Sequence, residues 1–235
     1  MIRALTFDIG GTLADGGLDK KAFAKKAIGY LCELGYDVGT RAYRRALDEA
    51  MRVLRHVRAS GREMDFYAFY SRVLEGLSIE PSREILDGLL NLYFDCFAYA
   101  VKPGVRKVLR ALSGRFELGV ISNAISPWPR RFLELEGLDR YFSTVVISGE
   151  VGWRKPHKRI FEIALFKLGV RPEEAVHIGN SPEEDVLGAK SVGMRAILVA
   201  WEGMPDSLEV EPDLILSSIS ELPEALDELA EGQLP

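Results

Sequence analysis

The residues best suited to chemistry stand near the start of the chain, where Asp8 follows a short apolar run that ends at Phe7. A continuous apolar run of this kind is typical of a parallel strand buried on both faces. Asp8 would then lie at the carboxyl end of that strand, where open α/β sheets bind their ligands. Gly10 and Gly11 allow a tight turn close to a bound group, and the Thr12 hydroxyl can hydrogen-bond that group. Taken alone, the pattern also fits a turn in which an aspartate caps its own backbone.

Three further polar segments follow in order, each at an expected strand end or helix start. Ser122 and Asn123 end a second apolar run. Lys155 precedes a proline that opens a helix, a position where a lysine is ordinarily a solvated charge. Asn180 and Asp185 follow another apolar run. Four such segments in one order are not expected by chance.

The four segments resemble the four sequence motifs of the haloacid dehalogenase superfamily, and the resemblance runs over nearly the whole chain. It implies that Asp8 is a nucleophile that attacks a phosphoryl group in line and forms an aspartyl-phosphate. Lys155 would supply the positive charge that a carboxylate and a dianionic substrate require. The phosphoryl oxygens would be bound by Thr12, Ser122, Asn123 and Lys155. Without the motif order, Ser122 and Asn123 would read as a strand-end turn with local side-chain bonds.

The resemblance also implies a magnesium ion beside the nucleophile, because Mg²⁺ takes oxygen ligands from carboxylates, water and substrate phosphate. The expected ligands are Asp8, the main-chain carbonyl of Gly10, the amide oxygen of Asn180, and Asp185 either directly or through water. Members of the family usually carry an acidic residue where Asn180 stands. An amide keeps an oxygen but removes a charge, so we expect the magnesium to be held more weakly than usual.

Gly10 is the larger departure from the family pattern. In the phosphatases that this sequence resembles, this position is an aspartate that protonates the leaving group and then activates water. Loss of a positioned general acid or base typically costs about 10²- to 10⁴-fold in rate. We therefore expect the first step to proceed with good leaving groups and breakdown of the phospho-intermediate to limit turnover. His56 or Glu63 could supply a replacement acid or base from the helical segment.

The elements that must position these residues fall into two groups. Four stretches with apolar residues at helical spacing begin near residues 20, 40, 66 and 83 and form a small bundle. From Pro103 onward, strands alternate with helices, which indicates a parallel sheet with helices on both faces. The predicted fold class is α/β, a doubly wound (Rossmann-like) parallel sheet core with a four-helix-bundle cap. The predicted domains are residues 1–16 plus 102–235 for the core with the active site, and 17–101 for the cap.

Within the core, the patterns predict helices over 105–112, 130–138, 158–168, 185–192 and from 223, and strands over 116–121, 144–147, 175–178, 195–200 and 214–216. A surface loop is expected over 202–212. By resemblance, the bundle is a mobile lid that closes over the site. Its aromatic residues are expected to be core, because apolar spacing alone favours core over a ligand pocket. They are Phe66, Tyr67, Phe69, Tyr70, Tyr93 and Phe94.

The composition limits the partners of the chain. With 30 basic and 35 acidic residues among 235, the net charge of −5 provides no general basic field, so no nucleic-acid partner is expected. No apolar run reaches the roughly 20 residues that span a bilayer, and no signal-peptide pattern opens the chain, so we expect a cytoplasmic protein without a membrane partner. A single glutamine and three asparagines indicate a thermophile. The oligomeric state is not defined by the sequence.

The leading hypothesis is a magnesium-dependent phosphatase acting on a small phosphorylated metabolite through an aspartyl-phosphate. A phosphate-binding relative with little or no catalysis is the first alternative, supported by Gly10 and Asn180 together. A hydrolytic 2-haloacid dehalogenase would use the same aspartate without metal, but its relatives carry an aromatic residue where Gly10 stands. A phosphonate hydrolase needs a cap lysine, and the stretch from Ala27 to Val101 contains none.

Overall fold

The structure is a computed structural model that describes residues 1–201, 203 and 210–230. Its strands are β1 (Ala4–Phe7), β2 (Ala14–Leu18), β3 (Phe97–Val101), β4 (Glu117–Ser122), β5 (Thr144–Ile147), β6 (Ala175–Gly179), β7 (Arg195–Val199) and β8 (Leu214–Leu216). Its α-helices are α1 (Lys20–Glu33), α2 (Thr40–Ala59), α3 (Phe66–Gly76), α4 (Arg83–Asp95), α5 (Val105–Leu112), α6 (Trp128–Leu135), α7 (Ser148–Val151), α8 (Lys158–Leu168), α9 (Leu187–Ser191) and α10 (Leu222–Ala230). Residues 202 and 204–209 of the predicted surface loop lie outside the described part of the chain.

Six strands form one parallel sheet in the order β5, β4, β1, β6, β7, β8. β1 is central and pairs with β4 and β6, and all four of its residues are buried. On one face of the sheet, Leu5 and Phe7 pack in a core with α5, α6 and α10. On the other face, Ala4 packs in a second core with α8 and α9. Helices on both faces of a parallel sheet confirm the predicted doubly wound α/β fold.

The order of the sheet brings the chemical residues to one edge. β1, β4 and β6 are adjacent and parallel, so the loops that follow them open on the same side. Asp8 follows β1, Ser122 ends β4, and Asn180 follows β6. The amide of Asp8 donates to the carbonyl of Ile178 at 2.9 Å, which continues the β1–β6 pairing up to the site.

The four helices of the inserted segment pack around a core of their own, as the sequence predicted. Side chains of Asp19, Asp65 and Ser82 accept hydrogen bonds from the first turns of α1, α3 and α4. Such caps satisfy amides that have no partner within the helix. Among the described residues, no helix has the length and apolar character needed to cross a membrane.

An antiparallel ribbon of β2 and β3 connects the helical segment to the sheet, and the sequence analysis did not predict it. Gly16 pairs with Tyr99 in this ribbon. Gly16 has a φ of +139°, and a Cβ there would lie 2.0 Å from the Ala98 carbonyl oxygen, so the pairing requires glycine. Because Gly16 and Gly17 have no side chains, the sequence of β2 lacks the apolar pattern by which a strand is recognised. The predicted domain boundaries fall within this ribbon.

Other elements also differ from the prediction: α7 was not predicted, α6 ends at Leu135 rather than at residue 138, and β4, β6, β7 and α10 are displaced by one residue at one or both ends. α6 begins at Trp128 rather than at residue 130. The helix predicted over 185–192 is divided into a π-helical turn over Pro182–Val186 and the short α9. In that turn, the amides of Asp185 and Val186 both donate to the Ser181 carbonyl, at 2.9 and 3.3 Å. The wider turn brings the Asp185 carboxylate back toward the end of β6. There it accepts hydrogen bonds from the amides of Asn180 and Ser181.

Candidate active site

A buried lysine between two carboxylates forms the centre of the site. Lys155 Nζ donates to Asp8 Oδ1 at 2.7 Å and to Asp185 Oδ1 at 2.6 Å. Lys155 is 1% exposed, Asp8 7% and Asp185 2%, so these charges interact with little screening by water. The structure thus brings three residues from the first, third and fourth motifs into direct contact.

The electrostatic environment distinguishes the two carboxylates. Burial raises the pKa of Asp8 to about 6, against the opposing influence of Lys155, and the charge of Asp185 adds to the increase. Burial also disfavours ionisation of Asp185, but Lys155 and His177 hold its pKa below the usual value. The two carboxylates outweigh the effect of burial on Lys155 and raise its pKa. The lysine therefore stays charged, and Asp8 is the carboxylate that is more weakly stabilised as an anion.

His177 also contacts Asp185, and the sequence patterns did not indicate this role. His177 Nε2 lies 3.0 Å from Asp185 Oδ1, and Nδ1 lies 2.9 Å from the Thr6 hydroxyl. Burial lowers the pKa of His177, which favours the neutral ring. We assign the proton to Nε2, because the carboxylate requires a donor. A histidine inside the otherwise apolar β6 was the available sequence signal.

Both oxygens of Asp185 are occupied by hydrogen bonds. Oδ1 accepts from Lys155 and His177, and Oδ2 accepts from the amides of Asn180 and Ser181 at 3.1 and 3.0 Å. A carboxylate with four donors is stabilised in its ionised form. Asp185 therefore fixes both the lysine and the loop that follows β6.

The first and fourth motifs pack against each other through Thr12 and Asn180. The fully buried Thr12 donates its hydroxyl proton to Asn180 Oδ1 at 3.0 Å. A Cβ at Gly11 would lie 2.5 Å from Asn180 Nδ2, and Gly11 has a φ of +83°. Glycine at position 11 thus lets the two loops approach closely. In the structure, the Thr12 hydroxyl is bonded to Asn180 and so joins the two loops.

Asn123 clamps the backbone of Lys155. Its Oδ1 accepts from the Lys155 amide at 2.8 Å, and its Nδ2 donates to the Lys155 carbonyl at 3.1 Å. The same Nδ2 donates to Glu184 at 2.9 Å, and Glu184 also accepts from Arg154 at 2.8 Å. The neighbouring Ser122 ends β4 and is 6% exposed. A phosphoryl oxygen beside β4 would therefore meet Ser122 and the main chain rather than the Asn123 amide group.

The two residues considered as replacement acids are placed differently. His56 is exposed on α2. Glu63 is buried and accepts two bonds from Arg58, at 2.9 and 3.0 Å, while Arg154 lies 3.5 Å away. Glu63 also accepts from the Ser148 hydroxyl at 3.4 Å. These contacts join the helical segment to the α/β part.

Tyr99 lies beside Gly10, and the sequence analysis did not single it out. A Cβ at Gly10 would lie 3.1 Å from the Tyr99 hydroxyl oxygen. Burial raises the pKa of Tyr99 to about 12, and the charge of Asp8 contributes to the increase. The hydroxyl therefore remains protonated at neutral pH and occupies space next to the position of the missing aspartate.

The oxygen atoms at this edge suit a weakly held Mg²⁺. Among the described residues, no group of three or more His, Cys, Asp or Glu side chains could hold a metal. Asp8 Oδ1 keeps a lone pair beyond its bond from Lys155, and the Asn180 oxygen keeps one beyond its bond from Thr12. With the Gly10 carbonyl, the set comprises a carboxylate, an amide and a peptide oxygen, which fits a hydrated magnesium ion with few protein ligands.

The chain is similar to known proteins over most of its length. A family model described as haloacid dehalogenase-like hydrolase matches residues 2–193. The chain is 32% identical over 206 residues to a glyceraldehyde 3-phosphate phosphatase of Methanothermobacter thermautotrophicus, covering 86% of this chain and 87% of the relative. It is 29% identical to the protein of that name in Pyrococcus furiosus, over 96% of this chain and 93% of the relative. These sources agree with the thermophile signal of the composition.

A solved structure with a different name is also similar. The 2-haloacid dehalogenase of Pseudomonas syringae pv. Tomato superposes with a TM-score of 0.76 at 26% identity, covering 97% of this chain and 100% of that one. The comparisons thus include relatives named for both reactions that the motifs suggest.

Proposed function

Because the chain belongs to the haloacid dehalogenase-like hydrolases, as its four motifs predicted, we propose that it hydrolyses phosphoric monoesters of small metabolites through an aspartyl-phosphate at Asp8. The observation that carries the proposal is the buried Lys155 ammonium, which lies 2.7 Å from Asp8 and 2.6 Å from Asp185. This arrangement presents a carboxylate together with a fixed positive charge, as attack on an anionic phosphoryl group requires. The relatives named glyceraldehyde 3-phosphate phosphatase favour phosphorus over carbon as the centre attacked.

The first step uses the Asp8 oxygen that does not accept from Lys155. This oxygen attacks phosphorus, the phosphorus–oxygen bond to the alcohol breaks, and the alkoxide takes a proton from solvent. In the second step, water attacks phosphorus, the Asp8 carboxylate leaves, and inorganic phosphate forms. Since Gly10 provides no acid or base, the second step is slow, and with good leaving groups the phospho-intermediate accumulates.

We assign phosphate binding to Lys155, to the Ser122 hydroxyl and to the main chain at Asn123. The side chains of Asn123 and Thr12 contribute by positioning, since the first clamps Lys155 and the second joins the two loops. Burial of these groups limits competition from water for the phosphoryl oxygens.

We assign Mg²⁺ to Asp8, the Gly10 carbonyl and Asn180. When bound, the ion would reduce repulsion between Asp8 and the phosphoryl group. Asp185 contributes through its hold on Lys155 and on the loop at Asn180, because each of its oxygens already accepts two hydrogen bonds.

Hydrolytic dehalogenation is the second candidate. Lys155 neutralises Asp8 without a metal, and the dehalogenase of Pseudomonas syringae has a similar structure. In this reaction, the Asp8 carboxylate would displace halide from carbon, and water would then hydrolyse the resulting ester. The candidate predicts halide release that chelators do not affect.

A phosphate-ester screen with and without magnesium tests the proposal. Wild-type protein should release phosphate from p-nitrophenyl phosphate in a magnesium-dependent reaction, and Asp8→Asn should abolish it. Asp48→Asn, which changes an exposed aspartate on α2, is the matched control and should keep full activity. Release of chloride from 2-chloropropionate with no phosphatase activity would establish the second candidate instead. Phosphate binding without turnover of any ester would identify a non-catalytic relative.

A further inference from the structure

A cavity of about 420 Å³ lies between the helical segment and the α/β part of the chain. Its volume is within the range of small-molecule sites. Most of its wall is aromatic or aliphatic, including Tyr43, Met51, Phe69, Tyr70, Phe97 and Trp128. The aromatic residues of the helical segment were predicted to be core, and Phe69, Tyr70 and Tyr93 are indeed buried, but they also line this cavity.

The cavity begins at the active site. Tyr99 and Asn123 are part of its wall. The Tyr99 hydroxyl lies against Gly10, two residues after the nucleophile, and Asn123 clamps Lys155. A phosphoryl group beside Asp8 therefore has its organic part directed along Tyr99 into the helical segment.

The two charged residues in the wall of the cavity are Arg58 and Lys20. Arg58 gives two hydrogen bonds to Glu63, at 2.9 and 3.0 Å. Lys20 is exposed. A ligand with a carboxylate or a second phosphate in the interior would thus lose its hydration and compete with Glu63 for Arg58.

One buried donor in the wall lacks a partner. Trp128 is 6% exposed, and its indole Nε1 has no hydrogen-bond partner among the described residues. Buried donors are nearly always paired in folded proteins, with protein, water or ligand. The Nε1 atom has almost no accessible surface, so Trp128 contributes apolar contact area to the cavity wall rather than a donor.

From these observations we propose that the cavity binds the organic part of the substrate, and that the substrate is a phosphate monoester of an alcohol with a bulky, apolar, aromatic-sized group. The proposal rests on the proposed phosphatase function and specifies its substrate class. The aromatic and aliphatic wall provides the contact area for such a group.

Two esters with similar leaving alcohols but different size test the proposal. 2-Phenylethyl phosphate should have a kcat/KM about 10- to 100-fold above that of ethyl phosphate, the range expected for burial of a phenyl-sized group. Ala24→Phe on α1 places a ring in the cavity and should reduce this ratio at least about tenfold. Leu47→Phe on α2 is a second filling variant. Ala22→Phe, on α1 but outside the cavity, is the matched control and should leave the ratio unchanged.

A binding measurement separates this proposal from the proposed function. By calorimetry, 2-phenylethylphosphonate should bind the wild-type protein at least about tenfold more tightly than ethylphosphonate, since the phosphonates cannot be hydrolysed at the same bond. This preference without Asp8-dependent hydrolysis would support the cavity and overturn the function. Asp8-dependent hydrolysis of both esters at equal kcat/KM, with equal binding of both phosphonates, would overturn the cavity and leave the function standing.

Discussion

Restoring an aspartate at position 10 should increase phosphatase turnover, and Tyr99 should limit the gain. Gly10 does not have a positive φ, so its backbone accepts a side chain. The new Cβ would lie 3.1 Å from the Tyr99 hydroxyl oxygen, which is closer than ordinary van der Waals contact. Tyr99 must therefore move by a few tenths of an ångström before the carboxylate can reach a leaving group.

The magnitude follows from the role of the missing group. A positioned acid or base typically raises the rate by about 10²- to 10⁴-fold. The increase in kcat for Gly10→Asp should therefore not exceed about 10⁴-fold. We expect about a tenfold gain for Gly10→Asp and about 100-fold for Gly10→Asp with Tyr99→Phe, because the second change removes the oxygen in contact. Tyr99→Phe alone should not increase turnover.

Steady-state kcat with two esters provides the assay. Ethyl phosphate, with its poor leaving group, should gain more from the new acid than p-nitrophenyl phosphate does. Circular dichroism should show that all variants are folded. An unchanged or lower kcat for both Gly10→Asp variants would refute the account of the missing acid.

Three other predictions concern charge in the site. Asn180→Asp should bind Mg²⁺ about tenfold more tightly by calorimetry, because it restores a carboxylate ligand; unchanged affinity would remove Asn180 from the metal site. Lys155→Met should abolish turnover and lower the free energy of unfolding by about 3–5 kcal/mol, since two buried carboxylates lose their cation; denaturation that matches wild type would contradict this. Folding raises the pKa of Asp8 from 3.8 to about 6, so its ionisation costs stability as the pH rises through 6. Without metal, Asp8→Asn should therefore be more stable than wild type at pH 8, by at most about 3 kcal/mol, with little difference at pH 4; equal stability at both values would contradict the raised pKa.

The sequence predicted the elements that follow simple periodicity. β5, β8, α5 and α8 have the predicted bounds, because each is a clear apolar run or amphipathic stretch. The ribbon of β2 and β3 was missed, since its pairing depends on glycine conformation and on residues about 80 positions apart. Local patterns contain no information about such a pairing.

The same limit applies to the site. Motif order identified Asp8, Lys155 and Asp185, which the structure brings into contact. It could not reveal that Tyr99, from a distant strand, occupies the space beside Gly10. It also could not show that the side chains of Thr12 and Asn123 are committed to other protein groups. These facts depend on packing between segments, which no local pattern records.

The most direct test of the central claim is to trap the phospho-intermediate on Asp8. Wild-type protein is mixed with acetyl phosphate and magnesium, quenched in acid, digested and analysed by mass spectrometry. Because the hydrolysis step lacks a group at Gly10, the peptide containing Asp8 should carry one phosphoryl group at high occupancy, and Asp8→Asn should carry none. Turnover of acetyl phosphate with no phosphoryl group on that peptide, and equal turnover by Asp8→Asn, would contradict Asp8 as the nucleophile.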